Sequence, residues 1–302
     1  QPSADVVITP SGSQVSVSPA SLSFTSGNWN VPQNVTVTAL DDNVVEGSHS
    51  GSITHTVTSS DSNYNGLSIA DVPGIAITDN DSATVQFAPT SLSQSEATSP
   101  MAFTVTLSNP VQSGVTLTVN STAGSATSPA DFTAISGGTV TFAPNSTTAQ
   151  TVNVVIANDS LFEGNETYTL ALSGLVATGN VTLPPGTATA TGTITNDDAA
   201  PTITINAPSV VEGNPPSNTS LNFVVSLNTA SGLPVNFNYA TNGAAGTATA
   251  GTDYTANAGS VGTIAAGGLS VTLPVTVIGD LVSEGNETVV LDLSAISNAD
   301  VT

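Results

Sequence analysis

The chain has 302 residues with no Lys, no Arg and no Cys, and 22 Asp and Glu residues against two His set its formal net charge at −22. Without a basic footprint it is neither a nucleic-acid binder nor a module drawn to an anionic membrane. The lack of Cys removes disulfide frameworks, zinc ribbons and thiol catalysis, and no run of roughly 18 apolar residues suggests membrane insertion.

Only 7% of residues are charged, so the carboxylates are sparse. With no cationic side chain to pair with, each must be hydrated, bound to backbone N–H groups, or neutralised by an external cation. Their positions are therefore informative. The chain opens on Gln with no leader before it and reads as a mature or excised segment.

In chain order, residues 1–82 carry "FTSGNWNVPQNVTVTALDD" (24–42), then "DNVVEGSHS" from Asp42 to Ser50, then "AITDND" (76–81). The same succession returns in residues 83–198 with "DSLFEGNET" (159–167) and "TITNDD" (193–198), and again in 199–302 with "DLVSEGNET" (280–288). Three repeated units follow from this. The first lacks opening strands, and the third stops at "SNADVT" before any counterpart of "GTATATGTITNDD" (186–198).

The middle unit alternates apolar and polar residues with period two, is rich in Val and Thr, and is punctuated by Gly, Pro, Asn and Ser. Strands are expected at 83–87, 102–108, 115–120, 139–143, 151–157, 167–173 and 187–195. Phe103, Val105 and Leu107 share one face, as do Val152, Val154 and Ile156, and Tyr168, Leu170 and Leu172. Seven short strands in about 115 residues predict an all-β fold of tandem immunoglobulin-like β-sandwiches.

In successively antiparallel strands, alternate connections lie at the same end. Glu96, Asp131, Asp159, Glu163, Asp197 and Asp198 all fall on one set of connections, and the other set in this unit holds no acid. The third unit repeats the placement with Glu212, Asp253, Asp280 and Glu284, and the first retains Asp41, Asp42, Glu46, Asp79 and Asp81. Glu166 and Glu287 lie at the same end but look peripheral. Like charges gathered at one pole repel unless something neutralises them. All-oxygen donors suit calcium, which takes about 6–8 oxygens in flexible geometry, better than zinc or magnesium.

"SQSEA" (93–97), "ADF" (130–132), "VIANDSLFEGNETYTLAL" (155–172) and "GTITNDD" (192–198) resemble Calx-beta domains, as do "VVEGN" (210–214), "GTDY" (251–254) and "VTVIGDLVSEGNETVVLDL" (275–293). The resemblance implies calcium at the distal loops of each sandwich. The implied ligands are Glu96, Asp131, Asp159, Glu163, Asp197 and Asp198, helped by Asn158 and Asn196, in the middle unit. In the third they are Glu212, Asp253, Asp280 and Glu284. Asn158 and Gly279 stand where the exchanger modules carry a further Asp, which implies fewer ions or weaker binding.

No enzyme is expected. His49 and His55 read as a surface pair with no acid or nucleophile placed beside them. Trp29 reads as a packing residue, with sugar stacking as the alternative, so a cell-surface or carbohydrate ligand stays open as a partner. The expected role is a calcium-stiffened extension or adhesion rod, secreted or surface-anchored, whose partners are calcium and neighbouring repeats. The alternative is an extracellular filament protomer in which identical chains complete one another's sandwiches by strand exchange.

Overall fold

The structure, a computed structural model, describes residues 1–301. Every regular element among them is a strand, as the Val- and Thr-rich alternation dictates. The strands fall into three successive sets.

The first set is β1 (Val6–Ser13), β2 (Val15–Ser18), β3 (Leu22–Phe24), β4 (Thr36–Ala39), β5 (His49–Ser59) and β6 (Val72–Ile77). The second is β7 (Ser82–Phe87), β8 (Ser91–Ser95), β9 (Met101–Leu107), β10 (Val115–Ala123), β11 (Gly138–Phe142), β12 (Gln150–Val154), β13 (Glu166–Val176), β14 (Asn180–Thr182) and β15 (Thr189–Thr195). The third is β16 (Thr202–Ile205), β17 (Thr219–Leu227), β18 (Val235–Thr241), β19 (Ser260–Ile264), β20 (Ser270–Val277), β21 (Leu291–Ser297) and β22 (Asp300–Val301).

The middle set is a complete sandwich, with sheet β11-β10-β13-β15-β8 packed on sheet β12-β9-β7-β14. Two of its strands were not expected. The chain leaves β7 and re-enters as β8, which pairs in parallel with β15 in the opposite sheet, and β14 pairs in parallel with β7. Both are short edge strands with little apolar alternation of their own, and their partners lie far away in sequence.

Alternate residues of the two inner faces build one core around Phe87, Phe103, Phe132, Phe142 and Tyr168. The Tyr168 ring stacks on Phe132 at 4.6 Å and meets Phe103 edge-on at 6.2 Å. Its hydroxyl donates to Met101 Sδ at 3.2 Å. Gly192 of β15 lies against that ring: a Cβ there would come within 2.4 Å of Tyr168 Cζ. The packed ring cannot retreat, so Gly192→Ala is expected to cost about 1–3 kcal/mol through overpacking. Chemical denaturation at constant m-value measures it, and an unchanged midpoint would refute this packing.

The third set repeats the plan with sheets β20-β17-β16-β22 and β19-β18-β21 around Phe223, Phe237, Tyr254 and Ile264. The first set has one four-stranded sheet, β3-β1-β5-β6, and a β2-β4 ribbon over a small cluster of Val15, Ile53 and Ile77. Part of its inner face stays open as an apolar groove of about 340 Å³, lined by Val6, Ile8, Trp29, Val57 and Tyr64 among others. Trp29 thus lies beside the sheet but is half exposed.

Successive sets meet through the loop that carries the Asp-x-x-x-Glu-Gly motif. Val45, fully buried, joins the core of the second sandwich. It bridges in parallel to Val111, donating its N–H to Pro110 O at 2.8 Å and accepting from Gln112 N at 3.0 Å. Phe162 stands at the same motif position and bridges to Ser231 of the third sandwich, accepting from Gly232 N at 3.0 Å. In the first two units the residue before the motif glutamate therefore docks into a turn of the next unit.

Candidate metal centre

The acidic pole of the middle sandwich is assembled by local turns. Asp159 Oδ1 accepts the N–H of Leu161 at 2.7 Å, an Asx turn that starts the loop between β12 and β13. Asp42 with Val44 and Asp280 with Val282 form the same turn at 2.7 Å, so the repeated Asp has the same local role in every unit. Asp131 is held by a second turn: its Oδ2 accepts Thr127 N at 2.6 Å and Thr127 Oγ1 at 3.1 Å. Its carbonyl accepts Ala157 N at 2.9 Å, tying this segment to the end of β12. In the third unit Asp253 repeats this with Thr249 N at 2.6 Å and Ile278 N at 2.9 Å.

Asn196 clasps the third segment. Its Oδ1 accepts Glu163 N at 2.9 Å, and its Nδ2 donates to Asp198 O at 2.9 Å. Glu96, almost fully buried, accepts from Asp197 N at 3.3 Å. Four segments distant in sequence, at Glu96, Asp131, Asp159–Glu166 and Asn196–Asp198, thus converge on one spot.

Two carboxylate triads result, Glu96 with Asp159 and Asp198, and Asp131 with Glu163 and Glu166; within each, carboxylate oxygens approach within 4.8 Å of one another. A cleft between them, lined by Glu96, Asp131, Glu163, Glu166 and Asn196, has a free volume of about 10 Å³, the room of a single water or ion. Among its described residues the third unit holds one such triad, Asp253, Glu284 and Glu287. Glu212 and Asp280 stand close by: Asp280 N donates to Glu212 Oε1 at 3.0 Å, and both charges act on Glu284.

The electrostatics are those of an uncompensated site. Burial, the proton shared with Asp131, and the charges of Asp131, Glu163 and Glu96 push the Glu166 carboxyl up to about 7. Burial, joined by neighbouring carboxylates, also raises Glu96 and Glu163, and the exposed Glu284 and Glu287 are raised by partial desolvation and by Asp253 and its acidic neighbours. The sign for stability follows. The unfolded chain releases the Glu166 proton near its ordinary value of 4.5, the folded one near 7. Its contribution is thus fully present below the lower value and lost as pH rises through the upper one. Asp198 Oδ2 is buried with no hydrogen-bond partner among the described residues. A buried carboxylate oxygen without a donor is costly, and a cation among these oxygens would relieve it.

Several expectations need adjustment. Glu166 and Glu287 are not peripheral but complete two of the triads. Asp197 lies beside the first triad, its Oδ2 accepting from Ser95 Oγ at 3.1 Å. Asn158 is exposed, its Nδ2 directed to Asp159 O at 3.5 Å. In the first unit Asp41, Asp42, Glu46, Asp79 and Asp81 form no convergent triad among the described residues. Asp79 is instead saturated by backbone donors, Glu46 N and Gly47 N at 2.9 Å and Asp81 N at 3.0 Å. The histidines are half-buried rather than a surface pair, and His49 does have an acid beside it: Nε2 lies 3.0 Å from Glu46 Oε2.

Residues 11–71, 78–199 and 196–301 match the Calx-beta domain. No curated protein sequence matches. Among solved structures, the apo form of the Calx CBD1 domain is similar at 21% identity, covering 38% of this chain and 98% of that one, with a TM-score of 0.35. CBD12 from CALX1.2 gives 18% identity over 70% of this chain and 80% of that one, TM-score 0.36. The calcium binding domain CBD12 of CALX1.1 gives 17%, 63% and 74%, TM-score 0.35.

Proposed function

The chain belongs to the Calx-beta family, and from that membership and the carboxylate triads we propose that it is a non-catalytic, calcium-binding structural segment whose ions stiffen the loops that carry the triads, and with them the joint between the second and third sandwiches. The observation that carries this reading is the convergence of four segments on two triads, in a chain with no Lys or Arg to neutralise them. The donors are all oxygen, which suits calcium; zinc would call for His or Cys, and magnesium for a tighter octahedron.

In this reading Glu96, Asp159 and Asp198, with Asp197 beside them, hold one ion, and Asp131, Glu163 and Glu166 hold a second. Asp253, Glu284 and Glu287, supported by Glu212 and Asp280, hold a third. Glu163 adjoins Phe162, the residue that docks on the next unit, so an ion fixing this loop also fixes the joint. A rod of this kind suits a secreted or surface-anchored protein, where calcium is plentiful and a chain without Lys or Arg offers trypsin no site.

Isothermal titration of the chelated chain tests the reading. About three ions are expected per chain, with proton release at about pH 6, where Glu166 is still protonated, and weaker apparent affinity as pH falls. Repeating the titration in buffers of different ionisation enthalpy measures the released protons. No calcium heat at either about pH 6 or about pH 8 removes the ion sites. Binding without proton release removes Glu166 from the ligand set.

A second reading, a filament protomer, is favoured by the open apolar groove of the first unit, which an extended segment of another chain could cover. The exposed face of Trp29 in that groove would equally serve a surface or sugar ligand. Sedimentation showing monomers at every concentration removes the filament.

A further inference from the structure

We propose that the joint between the first and second units is closed by side-chain donors instead of a cation, with His49, Gln14 and Gln112 serving Glu46. Aligning the repeated loops places His49 where the second and third units have Glu166 and Glu287. The third carboxylate of the triad is thus replaced by an imidazole. Around it, both oxygens of Glu46 are already engaged. Oε1 accepts from Gln14 Nε2 at 3.2 Å and from Gln112 Nε2 at 3.0 Å, and Oε2 faces His49 Nε2 at 3.0 Å. His49 Nδ1 lies 3.0 Å from Gly47 O, which fixes the ring against the same loop. No side-chain donor among the described residues reaches the carboxylate of Glu163 or Glu284 in the way these three reach Glu46.

Gln112 gives the arrangement its consequence, because it belongs to the following unit. It clamps the first unit twice, by its backbone N–H on Val45 O and by its side-chain amide on Glu46. The same place in the next joint, set by the N–H on Phe162 O, is occupied by Gly232. There a Cβ would come within 2.5 Å of Glu163 Cγ and Oε1. Glycine leaves Glu163 free to turn toward its triad, whereas glutamine holds Glu46 in place. The two joints have the same backbone register and opposite side-chain chemistry: one is latched by protein donors, the other left for an ion.

The chain has no Cys, so cysteine pairs introduced across each joint carry spin labels only where intended. Pulsed distance measurements in calcium and in chelator then read each joint separately. The expected result is a first joint with the same narrow distribution in both conditions, which broadens in both when His49→Ala and Gln112→Ala are combined. His49→Glu with Gln112→Gly should make that joint respond to chelator. A native first joint that broadens in chelator overturns the proposal, as does a double alanine variant that keeps the narrow distribution. The second joint is the control for the calcium reading. If it ignores chelator, ion stiffening fails there, while the first joint is still judged by its own variants.

Discussion

Saturating calcium is expected to raise the melting temperature of the metal-stripped middle sandwich by about 20 °C. An ion bound only by the folded state adds about 2.7 kcal/mol at a hundredfold excess over its Kd, and the middle unit has two triads to fill. A domain of this size shifts by roughly 4 °C per kcal/mol, which gives the total. The metal-free state starts low because Glu96 is buried, and Glu163 and Glu166 half-buried, against neighbouring carboxylates. Scanning calorimetry with calcium and with chelator measures the shift. Trp29, the single Trp, lies in the first unit, where no triad forms, so its fluorescence transition should move far less. Superimposed calorimetric curves would remove structural ions from the molecule.

Much of this was legible in the chain because strand period and turn chemistry are local. The Asx turns at Asp42, Asp159 and Asp280 follow from an Asp opening a loop, and the inward set Tyr168, Leu170 and Leu172 follows from alternation. The same alternation also places a triad glutamate. Glu166 has the parity of Tyr168, so at the first residue of β13 it points between the sheets at their open end, into the triad. His49 relates to Gly51 and Ile53 in the same way. What sequence could not supply was long-range partnership. β8 is a strand only because β15 lies beside it, and Glu46 is a latch rather than a ligand only because Gln112 reaches it from another unit. The apolar residue ahead of the motif glutamate, Val45 or Phe162, was visible as an oddity in an acidic loop, but its destination lies in the next sandwich.

That destination makes Val45→Asp the substitution with the largest expected effect on architecture. Val45 is fully buried in the core of the second unit while belonging to the first. Losing it forfeits about 1.5–3 kcal/mol of apolar burial. A carboxylate in its place would have to be desolvated without a partner, which costs several kcal/mol more, and it would sit beside Glu46. Against this stand two backbone hydrogen bonds to Pro110 and Gln112, each worth about 0.5–1.5 kcal/mol, and the Glu46–Gln112 contact, worth about 1.5–3 kcal/mol. The balance favours opening, so the first two units should separate while each keeps its own strands. Small-angle scattering should show a broader distribution of lengths, and amide exchange should speed up at Val111 and Gln112 with the core of β9 and β13 still protected. Val45→Leu keeps the apolar contact and should leave the joint closed. An aspartate variant with unchanged scattering and unchanged protection at Gln112 would mean that the units are held together by something other than this plug.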